Sequence, residues 1–308
     1  MSTEIPLKLV LQHRATMSAM LLGLVRSSLP FMAKYQQGYE VIQRGHTPDA
    51  LLNYKFQQWA GFDHARLALS PPLLVSQTLL SAVSTLTSYC PYPLLNVLNQ
   101  GLRLKVLASI QPNQPFSIRG QLVDASDDGY RAKIHSHVVL SDRHGETIMS
   151  LDAFAAVMLK SRPQNNTRSS ESIDWQTLNS WQMAENAGVE FFLLTGDFNP
   201  IHTLPWLAKR TRFAGCIMHG YGAFSKIYAA IENQGVRIRE IETRFLKPIP
   251  LPTPQLHIQI AQDASSHLFR LVDDEGQLYQ DVISLRCNHH EVKFYRCRID
   301  CQCAYTVS

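Results

Sequence analysis

Two blocks in this 308-residue chain carry residue types at spacings that acid–base chemistry can use. The first is Thr195-Gly196-Asp197-Phe198-Asn199-Pro200-Ile201-His202. Pro200 biases Asn199 away from helical backbone and sets a sharp loop. Asp197 and His202 stand five apart around that loop, so both side chains could enter one cleft. The imidazole titrates near neutrality, and a neighbouring carboxylate can orient it or share the proton work. Asn199 could hold the loop or a substrate, although Asx side chains are also common turn formers. The plain alternative is a simple turn with His202 on the surface. The second block, Ile217-Met218-His219-Gly220-Tyr221-Gly222-Ala223-Phe224-Ser225, opens a helix with glycines. Free N–H groups at a helix start carry partial positive charge and suit a developing oxyanion.

Regular elements must position these blocks. Ile217, Tyr221, Phe224, Tyr228 and Ile231 recur at spacings of three and four, which predicts a helix over Ile217–Glu232. Strand-like runs follow at 237–246, 255–262, 267–272 and 278–286. The first part of the chain repeats this order. Pro71-Pro72 opens an apolar helical stretch, 73–89, followed by strand-like runs at 102–110, 116–123, 130–140 and 147–158. Turn residues such as Asp127-Asp128-Gly129 separate the runs. Residues 161–172 lack any aliphatic or aromatic side chain and read as a linker. The expected division is a helical extension over 1–50, a first unit over 51–160, the linker, a second unit over 173–286, and a tail over 287–308. Each unit reads as one long buried helix followed by about four antiparallel strands. A sheet curled around a central helix satisfies that pattern, and two such units would pack edge to edge.

Composition narrows the classes. Hydrophobic residues make up 45% and charged residues 18%, enough to bury a sizeable core and to exclude global disorder. The net charge of +4, with no Lys/Arg run longer than two, argues against a dedicated nucleic-acid binder. Ala15–Val25 is the longest nearly uncharged apolar segment near the start. It is too short to span a bilayer, which takes about 20 residues. An amphipathic or core helix is expected there, and a cytoplasmic protein without a membrane span. Cys90 and Cys216 read as buried thiols that pack like small apolar residues. Cys287, His289, His290, Cys297, Cys301 and Cys303 crowd the tail, but their spacing matches no standard zinc pattern, so no metal is expected.

The block Asp197-Phe198-Asn199-Pro200-Ile201-His202, with His219-Gly220 and Ser225 downstream and Phe213-Ala214-Gly215 before the helix, resembles the signature of the MaoC-like (R)-specific enoyl-CoA hydratases and dehydratases. The likeness covers about residues 175–285, and more faintly 55–158 resembles the degenerate first half of double-hotdog members. It implies an α+β tandem hotdog fold and reversible hydration of a trans-2-enoyl thioester to an (R)-3-hydroxyacyl thioester. No metal or redox cofactor is implied. By the same resemblance Asp197 and His202 form the catalytic dyad, without the sequence deciding which is the base. Asn199 supports the loop. The Gly220 N–H binds the thioester carbonyl, and Ser225 lies near the acyl cavity or simply packs the helix. His219 is a substrate-binding candidate or only caps or orients the helix start.

The chain departs from the family in two places. Leu204 stands where the family often has an acidic residue, and the first half has only the adjacent pair Asp63-His64 in place of a dyad. One site per chain is therefore expected, with the first half as acyl-tunnel wall and the run 73–80 as a candidate lining. The carrier would be coenzyme A or acyl carrier protein, met by Lys209, Arg210 and Arg212 if these are not merely a solvated face. The chain would act in fatty-acid metabolism as an internal pseudo-dimer, compatible with a homodimer. The alternatives are a hotdog thioesterase and a non-catalytic acyl-thioester binding or assembly subunit.

Overall fold

Short-range chemistry sets the boundaries of the helices that carry the two blocks. A computed structural model describes residues 5–28, 38–63, 68–160, 174–261 and 269–287. The chain opens with a 3-10 turn, Leu7–His13, and α1 (Arg14–Ser28). The first half then runs β1 (Glu40–His46), α2 (Ala50–Ala60), α3 (Pro72–Thr78), α4 (Leu80–Thr87), β2 (Val97–Val106), β3 (Pro115–Asp127), β4 (Arg131–Ser141) and β5 (Thr147–Met158). The second half runs β6 (Trp175–Trp181), α5 (Ala187–Thr195), α6 (Pro200–Thr203), α7 (Pro205–Ala208), α8 (Gly220–Glu232), β7 (Ile238–Phe245), β8 (Leu256–Ala261), β9 (Phe269–Asp273) and β10 (Leu278–Cys287). Asp49 caps α2 by accepting the Leu52 N–H, and Gly61 closes it in the left-handed conformation.

All ten strands join one antiparallel sheet in the order β1-β3-β4-β5-β2-β7-β10-β9-β8-β6. Each half contributes the same internal order: 1-3-4-5-2 and, term for term, 6-8-9-10-7. The halves meet where β2 pairs with β7, from Gly101 opposite Arg244 to Lys105 opposite Glu240. One face of the curved sheet covers the helices. Tyr221, Phe224, Tyr228 and Ile231 of α8 are buried against it, as their spacing predicts, with Ile227 beside them; Ile217, expected in the same helix, precedes it and bridges to Pro250. This is the expected α+β double hotdog.

The structure departs from the sequence expectation in two ways. Each half has a fifth strand, which precedes the helices rather than following them. Both extra strands lie at sheet edges. β1 (Glu-Val-Ile-Gln-Arg-Gly-His) and β6 (Trp-Gln-Thr-Leu-Asn-Ser-Trp) alternate weakly in polarity because they are largely solvated. The extension expected to be helical over 1–50 is therefore helical over 7–28, while 40–46 forms β1. The second departure is a break at Leu79 in the helix expected over 73–89. There the Ser76 and Thr78 hydroxyls donate to the Leu73 and Val75 carbonyls, and the Leu79 N–H turns to Ser76 in a tighter 3-10 bond.

Cys90 and Cys216 are buried free thiols, as read from the sequence. The linker over 161–172, His64, and the tail beyond Cys287 lie outside the described residues. Among the described residues no helix is long and apolar enough to cross a membrane.

Candidate active site

The loop after α5 is built to turn. Gly196 takes the left-handed conformation, φ 76°, and its N–H closes α5 on the Phe192 carbonyl at 2.7 Å. Asn199 caps α6, its Oδ1 accepting the Ile201 N–H at 3.3 Å, and Pro200 occupies the first turn. Asp197 precedes this cap and His202 lies within α6.

His202 Nδ1 lies 2.7 Å from the Ile217 carbonyl oxygen. A carbonyl only accepts, so the proton is on Nδ1 and the Nε2 lone pair is left free. His219 Nε2 lies 3.0 Å from the Asp197 carbonyl oxygen and by the same argument donates to it. The two imidazoles stack with centroids 3.8 Å apart and planes tilted by 31°. His219 Nε2 is also 4.0 Å from Asp197 Oδ2. The second histidine therefore does more than the sequence suggested. It sits at the cap position of α8 but makes no capping bond, and it ties the start of α8 to the Asp197 loop.

Burial sets the electrostatics. It raises the Asp197 carboxyl above its ordinary range, against the opposing pull of His202 and the Asn199 N–H. It lowers His202 to about 3, helped by His219, and lowers His219 to about 3 as well. Both rings are thus neutral at physiological pH.

These residues line a cavity of about 450 Å³ between the two halves. The second half supplies Asp197, Asn199, His202, His219 and Gly220, with Phe245 and Gln280 on the sheet side. The first half supplies Leu80, Val97–Gln100 and Met158. Gly220 begins α8, and a Cβ there would sit 3.0 Å from the Phe245 ring. A side chain there would have to push the Phe245 ring back by a few tenths of an ångström.

The other sequence candidates divide. Arg212 lines the cavity, joined by Lys247, which the sequence reading did not single out. Lys209 and Arg210 are exposed and do not line it; Arg210 instead lies over the Trp206 ring at 5.7 Å. Ser225 is fully buried, donates to the Tyr221 carbonyl at 2.9 Å and does not reach the cavity, so it packs the helix. Of the run 73–80, Leu80 alone forms wall; Leu73, Leu74, Val75 and Leu79 are core. The wall strand β2 and Met158 had no sequence signal beyond strand periodicity, because pairing β2 with β7 is a long-range event.

The pseudo-twofold relation creates a counterpart cavity of about 110 Å³. Val106–Ile110 and Arg237–Arg239 stand there where Phe245–Ile249 and Val97–Gln100 stand in the larger one. Pro72 replaces Gly220 at the helix start and has no N–H to offer. Asp63 lies apart from any described imidazole, its N–H bonded to Asn233 Oδ1.

Residues 165–272 match the family model described as MaoC like domain. No curated protein sequence matches the chain. Among solved structures, HtdX of Mycobacterium tuberculosis superposes with a TM-score of 0.65 at 14% identity, over 80% of this chain and 98% of that one. A MaoC-like dehydratase from Phytophthora capsici gives 0.62 at 14% identity, over 80% and 95%. A further Mycobacterium tuberculosis protein, described as having a double hotdog fold, gives 0.54 at 11% identity, over 82% and 94%.

Proposed function

From a chain that carries a MaoC-like domain over residues 165–272 on a double-hotdog fold, we propose a hydro-lyase that interconverts trans-2-enoyl and (R)-3-hydroxyacyl thioesters. The observation that carries the reading is the neutral His202 with Nε2 free, together with the partly buried Asp197 carboxylate and an uncapped helix start in one cavity. In hydration, water oxygen bonds to C3 and its proton passes to His202 Nε2. The C2=C3 electrons move onto the thioester carbonyl oxygen, which the Gly220 N–H holds as it gains charge. Burial disfavours both the imidazolium and the carboxylate, so the captured proton is relayed from His202 to Asp197 through water, the two side chains making no direct hydrogen bond. Asp197 then protonates C2, and both groups return to their starting states. His219 positions the Asp197 backbone, and Asn199 holds the loop.

The substrate would be an acyl group on a phosphopantetheine arm, from coenzyme A or acyl carrier protein, as used in fatty-acid metabolism. Arg212 and Lys247 offer positive charge at the cavity for its phosphates. The test is loss of enoyl-thioester absorbance with the wild type beside Asp197→Asn. Hydration by the wild type and a rate lower by roughly 10²–10⁴-fold in the variant are expected. Release of free thiol would make it a thioesterase, and binding without turnover would make it a carrier or assembly subunit.

A further inference from the structure

Ala15–Val25, the uncharged stretch noted in the sequence, lies within α1 and takes no part in the active cavity. Contacts settle which side of α1 faces inward. Thr16 is buried, Gly23 lies against Leu94, Ser84 and Ser88, and Arg26 sits 3.8 Å over the Tyr89 ring. The other side is open. Leu21, Leu22 and Val25 are 58, 68 and 52% exposed, and Leu7 and Leu11 in the preceding turn are 72 and 64% exposed. Within α1, spacings of three and four place positions 14, 18, 21, 22 and 25 on one face. Five large apolar side chains at these exposures present on the order of 500 Å² of apolar surface, the size that marks an interaction site. Among the described residues nothing covers it.

Charge identifies the partner. Residues 5–28 contain Lys8, Arg14 and Arg26 but no Asp or Glu. The elements beneath α1, which are α4 and the turn at Leu94–Asn96, fall in a stretch, 68–102, with no charged residue at all. Lys8 and Arg14 are exposed on the open side. The face is therefore apolar and positive; Asp49, whose N–H bonds to the Gln12 side chain, lies beside the turn with its carboxylate accepting the Leu52 N–H.

We propose that the outer face of α1 and the preceding turn dock on an anionic lipid surface. The five apolar side chains enter the acyl boundary while Lys8 and Arg14 meet the headgroups. The helix lies in the interface rather than crossing it, in keeping with its length and its two terminal arginines. A second copy of the chain fits the face less well. Two copies meeting through this face would bring like charges together. The proposal does not depend on the enzymatic reading.

The test is sedimentation of the full chain with equimolar phosphatidylcholine–phosphatidylglycerol vesicles and with phosphatidylcholine alone. Binding to the anionic vesicles is expected, falling about tenfold or more with salt, with Arg14→Glu and with the double variant Leu22→Glu, Val25→Glu. These side chains are exposed, so folding is unaffected, and an unchanged thermal transition verifies it. No binding to either vesicle overturns the proposal. Equal binding to both overturns the anionic partner. A wild-type dimer that the double variant turns into monomer assigns the face to a second copy and overturns it too.

Discussion

Three histidines are held neutral by burial: His202 and His219 at about 3, and His13 at about 4. Each has a folded value below the roughly 6.5 it has in an unfolded chain. Below that pH the unfolded chain binds protons that the folded one refuses, so stability falls as pH drops from about 6.5 towards 4. Asp197 acts in the opposite sense, since burial raises its value and so favours the folded state in acid. The histidines outnumber it. Urea midpoints measured between neutral pH and pH 5 should fall, with a slope equivalent to about two to three protons taken up on unfolding. His219→Gln should flatten that slope. A flat profile in the wild type would mean that the rings are charged in the folded state, which would remove the free base at His202. Sequence alone showed Asp197, Asn199 and His202 by their spacing around Pro200. It could not show that His219 bonds to the Asp197 carbonyl, because that contact joins loops 22 residues apart.

At the scale of elements, the loop that carries Asp197 is braced from behind by the amino-terminal turn. His13 is 2% exposed, and its Nε2 donates to the Leu194 carbonyl at 2.8 Å, in the last turn of α5. A Cβ on Gly196 would come within 2.5 Å of the His13 Cβ, so the turn rests directly on the residue before Asp197. His13→Ala should lower kcat by about tenfold or more through misplacement of the loop, with KM little changed. His13→Gln, which keeps a donor, should recover part of the loss. A KM effect alone would assign the turn to substrate binding instead. The sequence reading found α8 and the four strands after each helix because their apolar periodicity is strong. It missed the edge strands and the break at Leu79. Edge strands bury one face weakly, and the break depends on hydroxyl bonds back to Leu73 and Val75.

At the scale of the molecule, the cavity belongs to both halves, with Leu98 of β2 and Met158 of β5 facing the machinery of the second half. On the proposed reading the first half would act as a gauge for the acyl chain. Leu98→Trp should narrow the gauge, raising KM for long enoyl thioesters while turnover of a four-carbon substrate is kept. Equal loss on both would place Leu98 in the reaction rather than in selection. The seam between β2 and β7 has a further consequence, for biogenesis. β2 ends at Val106 and its partner begins at Ile238, so a ribosome must make more than a hundred further residues before the edge is closed. Throughout that interval β2 lacks its β7 partner and leaves an open strand edge. The second half of a neighbouring nascent chain presents the same edge as its own, and at high synthesis rates the two compete. Chains that close on a neighbour become exchanged pairs with the same cavities as the monomer. Exchange of halves between neighbours is therefore expected to rise with how densely the message is translated.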